Sequence, residues 1–305
     1  MSVLFFVLGV LAAAIGGDRF VRGAVGLASW WRIPAGIIGA TIAAFATSSP
    51  ELSVGVLAAL DGRSELAFGD ATGSNMVNLG VVLGLTLVIG GLSAARSSVR
   101  REVMSVFVAL PLLLFLALDG GISRLDAAFL LVLFALWIAW VVRDARSQRS
   151  AVEEIGESSR RATVLDLVAG LALLVLAGQL IVESAKDMGE SLGWSEFVVG
   201  SIVVAIGTST PELVTTIISA RKGHVEVGIG TILGSNLFNS LFIVGVAGVI
   251  EPIDVDRPTA AVALIAALVA SAFVIPDRRA RLGRIRGVVL VLAYAGFVSA
   301  LLVLV

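Results

Sequence analysis

The sequence predicts an all-α polytopic membrane protein, with ten transmembrane helices arranged as two inverted five-helix repeats in which helices 2 and 7 are broken. Three observations carry this. The 305-residue chain is 58% hydrophobic and only 15% charged, with mean hydropathy +1.02, which is more apolar surface than one water-soluble core of this length can hide. Apolar stretches long enough to cross the hydrocarbon, about 20 residues each as helix, recur from end to end. The second half of the chain repeats the first in register.

The spans fall at roughly residues 2–17, 36–60, 66–93, 102–118, 125–142, 163–183, 196–220, 227–249, 259–275 and 287–304. A β-barrel would instead show strands of about ten residues with alternating polarity, and no such alternation is present. The first stretch lacks a basic leader and a small-residue cleavage site, so it reads as a retained helix. The chain has no cysteine, which removes disulfides and thiolate metal sites. A net charge of −1 points to no nucleic-acid partner. The expected surroundings are a lipid bilayer, and the oligomeric state is left open.

Orientation follows from the basic residues. With ten spans, one side carries Arg19, Arg22, Arg32, Arg96, Arg100, Arg101, Arg143, Arg146, Arg149, Arg160, Arg161, Arg221, Lys222, Arg278, Arg279, Arg281, Arg284 and Arg286. The other keeps Arg63, Arg124, Lys186 and Arg257, so the 22 basic residues split 18 to 4. The basic side is expected to be cytoplasmic, in a plasma membrane, with both termini extracellular. Trp30 and Trp31 with Arg32 read as an interfacial anchor, His224 in "RKGH" as solvated, and the arginines between 278 and 286 as topology determinants or lipid-phosphate contacts.

Residues 143–162 form a polar, charged linker between a first repeat, 1–142, and a second, 163–305. A shift of 161 residues aligns Gly39, Ala44, Thr47, Ser48, Pro50, Glu51 and Leu52 with Gly200, Ala205, Thr208, Ser209, Pro211, Glu212 and Leu213. The register continues without a gap through "GSNMVN" (73–78) and "GSNLFN" (234–239). Five spans per half is an odd number, so the second half enters the bilayer from the opposite face, an architecture that holds substrate near the midplane.

The blocks "FATSSPEL" (45–52) and "IGTSTPEL" (206–213) place a carboxylate, a proline and hydroxyls in apolar surroundings. Pro50 has no N–H and its ring collides with the Ala46 carbonyl, so the helix breaks just before it and frees carbonyls. In hydrocarbon such groups are tolerated only where they line a watery cavity or find partners. Glu51 and Glu212 are costly to bury without a cation. Two carboxylates, the hydroxyls of Thr47, Ser48, Ser49, Thr208, Ser209 and Thr210, and free carbonyls make an all-oxygen site suited to hard cations such as calcium or sodium. Ser74 and Asn78 lie four apart on one helix face, and Ser235 and Asn239 repeat this. Gly73 and Gly234 would let these helices approach the broken ones closely. Asn75 and Asn236, about 100° around the helix, are assigned to hydrogen bonding of broken-helix backbone. One kinked helix with a snorkelling Glu, or one Ser or Asn in a membrane helix, has an ordinary packing explanation. Two copies in fixed register favour function.

These twin blocks resemble the two α-repeats of the cation/calcium exchanger superfamily, most closely its prokaryotic sodium/calcium exchanger branch, and the resemblance covers essentially the whole chain. The "GNxxE" block of the hydrogen/calcium branch is absent. The resemblance implies no enzyme and no cofactor, but a secondary-active antiporter that exports Ca2+ in exchange for Na+ by alternating access. It implies a calcium-like site from Glu51 and Glu212 with the backbone oxygens of Thr47 and Thr208. Sodium-like sites would add Ser48, Ser209, Ser74, Ser235 and the carbonyls of Ala44 and Ala205, with Asn78 and Asn239 at the remaining central positions. Helices 1 and 6 would slide as a pair across this core. Two positions depart from the pattern, Asn239 where relatives carry Asp and Ala46 where they carry Gly, so counter-ion and stoichiometry do not transfer. Asp70, on the face of Ser74 and opposite Thr231 in the repeat, either restores a carboxylate or bonds to a neighbouring helix end or loop. Proton-coupled calcium export is the alternative within the class, a cation channel the alternative outside it, and an intramembrane aspartyl protease a weaker enzyme rival.

Overall fold

The computed structural model describes residues 2–94, 96–148, 159–191, 194–277 and 280–304. The first half contributes α1 (Ser2–Trp31), α2 (Gly36–Thr47), α3 (Ser49–Leu60), α4 (Ser64–Gly90), α5 (Arg100–Asp119) and α6 (Arg124–Ser147). The second contributes α7 (Arg160–Ser191), α8 (Glu196–Thr208), α9 (Thr210–Arg221), α10 (Val225–Ile250), α11 (Arg257–Ala272) and α12 (Arg284–Val303). By length and apolar composition α4, α5, α6, α10 and α12 qualify as membrane spans, and the bent pairs α2–α3 and α8–α9 bring the number to seven among the described residues. Helices α1 and α7 have 30 and 32 residues, and α11 is a shorter apolar helix of 16. Residues 149–158 of the 143–162 linker, as well as Arg278 and Arg279, lie outside the described residues.

The first and sixth stretches are longer than expected. Helix α1 runs on past Gly17 to Trp31, and α7 begins at Arg160 and reaches Ser191. No proline interrupts residues 17–31, and the glycines there are contact points rather than breaks. A Cβ on Gly23 would lie 2.5 Å from the Leu167 nitrogen of α7, and one on Gly170 would lie 2.4 Å from the Phe20 nitrogen of α1. The two helices therefore pack backbone to backbone along their length. At their end the Arg160 guanidinium sits 5.9 Å from the Trp30 ring centroid, a cation–π contact.

The proline expectation is met at both blocks. Helices α2 and α3 meet at 45°, and α8 and α9 at 41°. Ser48 and Ser209 stand at the breaks, with φ/ψ of −84°/13° and −79°/5°. Pro50 and Pro211 occupy the first turn of the following helices, where a missing N–H is harmless.

Helices α4 and α10 form the centre: 72% and 83% of their apolar windows are buried, against 22% for α6 and α12. Glycine makes this possible. A Cβ on Gly73 would lie 2.3 Å from the Ser201 carbonyl oxygen of α8, and one on Gly234 would lie 2.3 Å from the Ala40 carbonyl oxygen of α2. Each central helix thus rests on the broken helix of the other half. The two contacts interconvert under the 161-residue shift, as do Gly69 on Phe197 and Gly230 on Gly36. Helices α2, α4, α8 and α10 each contain a π-helical turn, at Gly39–Ala43, Asn78–Leu83, Val199–Val204 and Phe238–Ile243. Such turns insert one extra residue and rotate the C-terminal remainder of the helix about its axis.

Short antiparallel pairs, not expected from the sequence, tie loops of one half to loops of the other. Strand β1 (Leu92–Ser93) pairs with β4 (Arg281–Leu282), and β2 (Gly121–Ile122) with β3 (Ile253–Asp254). Ion pairs join helix ends, across the halves at Arg63 and Lys222 and within the first half at Arg101. Arg63 meets Glu196 at 2.7 Å, Arg101 meets Asp144 at 2.6 Å as well as Glu102, and Lys222 meets Asp18 at 2.6 Å. His224 is half-buried rather than solvated, and burial, followed by the charge of Lys222, holds its pKa below the ordinary histidine range.

Candidate functional site

The two breaks bring Glu51 and Glu212 into the first turns of α3 and α9, where the partial positive charge of a helix N-terminus favours a carboxylate. Both side chains are fully buried. Glu212 Oε1 accepts from Ser235 at 3.0 Å and lies 3.0 Å from Ser48 Oγ, and the two hydroxyls are 2.9 Å apart. Ser48 belongs to the other half, so this triangle crosses the repeat boundary. Glu51 Oε1 accepts from Ser209 at 3.4 Å, the matching contact across the boundary.

The match ends at Ser74. Its hydroxyl lies 3.4 Å from Asp70 Oδ1 and 3.4 Å from Thr208 Oγ1, and Thr208 donates to the same Asp70 oxygen at 3.0 Å. Asp70 is fully buried and is held by site residues, not by a helix end or a loop. Its repeat counterpart Thr231 donates to the Val227 carbonyl at 2.8 Å and takes no part. Thr47, the counterpart of Thr208, donates to the Ala43 carbonyl at 3.0 Å.

The asparagines form a cross-link between α4 and α10. Asn78 donates to Asn236 Oδ1 at 3.0 Å, Asn236 to the Asn75 carbonyl at 3.3 Å, Asn239 to Asn75 Oδ1 at 3.3 Å, and Asn75 to Ser240 Oγ at 2.8 Å. This corrects the expectation for Asn75 and Asn236, which bond to the opposite central helix and not to broken-helix backbone. These four hydrogen bonds place α4 and α10 side by side at this level. Ser240 carries no signal in the sequence, because its repeat counterpart is Leu79 and symmetry does not single it out.

The network leaves over a set of oxygens. Glu51 Oε2, Glu212 Oε2, Asp70 Oδ2, Asn78 Oδ1 and Asn239 Oδ1 are all buried and accept no hydrogen bond from the protein. Buried carboxylates and amides are almost always satisfied, so five acceptors left open among these residues call for a cationic or protic partner. Among the described residues no three His, Cys, Asp or Glu side chains converge as a metal cluster, and any cation held here would rely on neutral oxygens as well as carboxylates. The Ala44 and Ala205 carbonyls accept from the backbone N–H groups of Ser48 and Ser209, at 2.9 and 3.0 Å, and also from the Thr47 and Thr208 hydroxyls, each at 3.4 Å. Ala46 belongs to one buried apolar cluster with Phe20 of α1 and Leu174 of α7.

The family model described as sodium/calcium exchanger protein matches residues 1–143 and 163–303. The chain is 33% identical to the putative antiporter CaxA of Alkalimonas amylolytica, over 97% of each chain. It is 33% identical to the inner membrane protein YrbG of Escherichia coli K12, over 84% of this chain and 82% of the relative. The sodium/calcium exchanger MaX1 of Methanosarcina acetivorans is 24% identical over 99% of this chain and 98% of its own. A solved structure of the sodium-calcium exchanger NCX_Mj superposes with TM-score 0.82 at 25% identity, covering 98% of this chain and 99% of that one. A match over both halves and relatives alike over nearly their full length lead to one conclusion: the chain belongs to the sodium/calcium exchanger protein family.

Proposed function

We propose that this protein is a secondary-active cation/calcium antiporter that exports Ca2+ in exchange for Na+ by alternating access. The observation that carries the reading is the group of buried, unpartnered oxygens at the crossing of two broken helices with two central helices. Glu51, Glu212, the backbone oxygens of Thr47 and Thr208, and the amide oxygens of Asn78 and Asn239 form the calcium site. Ser48, Ser209, Ser74, Ser235 and the carbonyls of Ala44 and Ala205 serve sodium. Two carboxylates neutralise one divalent ion or are shared among monovalent ions, and a bare pair of buried charges resists the switch, which couples the fluxes. As a carrier the protein uses no enzyme chemistry and no resident cofactor.

Ten spans in two inverted halves, 1–142 and 163–305, are supported by the reciprocal glycine contacts and by the gap that residues 144–162 leave in the family match. The continuous backbone contact between α1 and α7 supports their sliding as one pair across the core. The basic-residue split supports cytoplasmic basic loops in a plasma membrane. Proton coupling is the second reading, and the observation favouring it is the neutral Asn239 together with the third carboxylate, Asp70, bonded into the site. Equilibrium binding of calcium-45 to the detergent-solubilised protein tests the site: sodium should displace the bound calcium, and binding indifferent to sodium would overturn the proposal.

A further inference from the structure

Three hydroxyls on α9 lie outside the network of the candidate site. Thr215, Thr216 and Ser219 are each at most 1% exposed, and none of their hydroxyl oxygens makes a hydrogen bond to the protein. This is unusual within this molecule. Thr72, Thr86, Thr231 and Ser271, equally buried in helices, each donate to the carbonyl four residues back, at 2.8, 2.7, 2.8 and 2.7 Å. That local bond is the default for a hydroxyl in apolar surroundings, because an unmade bond leaves the full desolvation penalty standing. The three α9 hydroxyls forgo it.

Their spacing is directional. Positions 212, 215, 216 and 219 follow i, i+3, i+4, i+7, a single helix face. The row starts at the Glu212 carboxylate and ends beside the α9–α10 loop, where the Ser219 carbonyl accepts from the His224 N–H at 2.8 Å. Helix α3 has no such row, since the corresponding residues are Val54, Gly55 and Ala58. There the matching face is apolar, with Ile243 Cγ2 2.9 Å from where a Gly55 Cβ would stand, whereas on α9 the Thr216 methyl lies 3.2 Å from where a Cβ on Gly228 of α10 would stand. The polar face is thus one-sided, running from the candidate site toward the loop that carries Arg221 and Lys222.

We propose that Thr215, Thr216 and Ser219 line a hydrated cation path connecting Glu212 with the α9–α10 loop. Neutral hydroxyl oxygens replace part of the water shell of a calcium or sodium ion without adding charge that would trap it. Cation and water in turn supply the partners that the hydroxyls lack. The identity of the ion, and the cytoplasmic location of the loop, rest on the antiporter reading.

The chain has no cysteine of its own, so single cysteines report cleanly. Thr215→Cys and Ser219→Cys are compared with Ala58→Cys, whose position on α3 is also buried, in proteoliposomes exposed to a small cationic methanethiosulfonate, and modification is read by mass. The α9 positions should react about tenfold faster than the α3 position, a ratio set by the difference between a wetted and a dry site. Equal rates would overturn the path. Labelling does not depend on transport, so it stands apart from the sodium-sensitive calcium binding that tests the antiporter reading. A second pair keeps the hydroxyl itself in question: Thr216→Val should slow calcium flux about tenfold while Thr216→Ser stays near wild type. A Val variant at wild-type rate would also overturn the path.

Discussion

Replacing Glu212 by Gln changes one atom group and leaves the surrounding geometry in place. The amide oxygen still accepts from Ser235 and Ser48, which lie 3.0 Å from Oε1. Only the unpartnered Oε2 becomes an NH2 group, so folding should be preserved. For a cation held between Glu51 and Glu212, the change removes one charged ligand from a fully buried set. Removing one partner of a buried ionic pair costs about 3–5 kcal/mol, which is about two to four orders of magnitude in calcium affinity. Calcium-45 exchange in proteoliposomes should therefore be abolished at calcium concentrations that saturate the wild type. Calcium should raise the unfolding temperature of the wild type and not that of the variant, because ligand stabilisation follows occupancy of the native state. Glu51→Gln should behave alike. Near-normal exchange by either variant would refute the site, and lost exchange with an intact calcium-dependent thermal shift would show that the carboxylate acts elsewhere in the cycle.

Asn239→Asp adds a carboxylate beside Asn75 and near two others, and like charges raise one another's pKa, so calcium exchange between about pH 6 and pH 9 should become more acid-sensitive; an unchanged profile would mean that residue 239 does not face the ions. Asp70→Ala leaves Ser74 without its carboxylate acceptor and Thr208 with the Val204 and Ala205 carbonyls, at 3.1 and 3.4 Å, so it should cost about 1–3 kcal/mol in thermal unfolding, whereas Asp70→Asn, which keeps an acceptor, should cost less. A cysteine at Ser147 should be labelled only from the cytoplasm and one at Asp61 only from outside; the reverse pattern would invert the membrane orientation. Asp18→Ala breaks the 2.6 Å contact with Lys222 that ties α1 to the α9–α10 loop; the pair is partly exposed and contributes at most about 1 kcal/mol, so the variant should alter turnover without lowering the unfolding temperature appreciably, and a large thermal loss would mark the pair as structural.

The parts of this fold that were legible in the sequence are those fixed by local chemistry or repetition. Pro50 and Pro211 lack the N–H of the helical ladder and crowd the carbonyl four residues back, and both bends fall just before them, although Pro111 is carried inside α5. Gly73 and Gly234 announced close approaches that the structure has, though with the broken helix of the opposite half. The ends of α1 were not legible, because Gly16, Gly23 and Gly26 look like breaks until α7 is seen packed on them. The pairing of Asn75 and Asn236 was not legible either, since partner choice depends on the level at which α4 and α10 lie side by side. Asp70 and Ser240 depart from the repeat, so symmetry concealed their partners. The row Thr215, Thr216 and Ser219 has a visible spacing, but only the structure shows that these hydroxyls leave their own backbone unused.

Calcium-45 uptake into proteoliposomes under imposed gradients tests the central claim most directly, because coupling is a property of the whole cycle and not of one residue. An outward sodium gradient at constant pH should drive calcium accumulation, and Glu51→Gln should abolish it. Uptake driven by a proton gradient and indifferent to sodium would contradict sodium-coupled exchange.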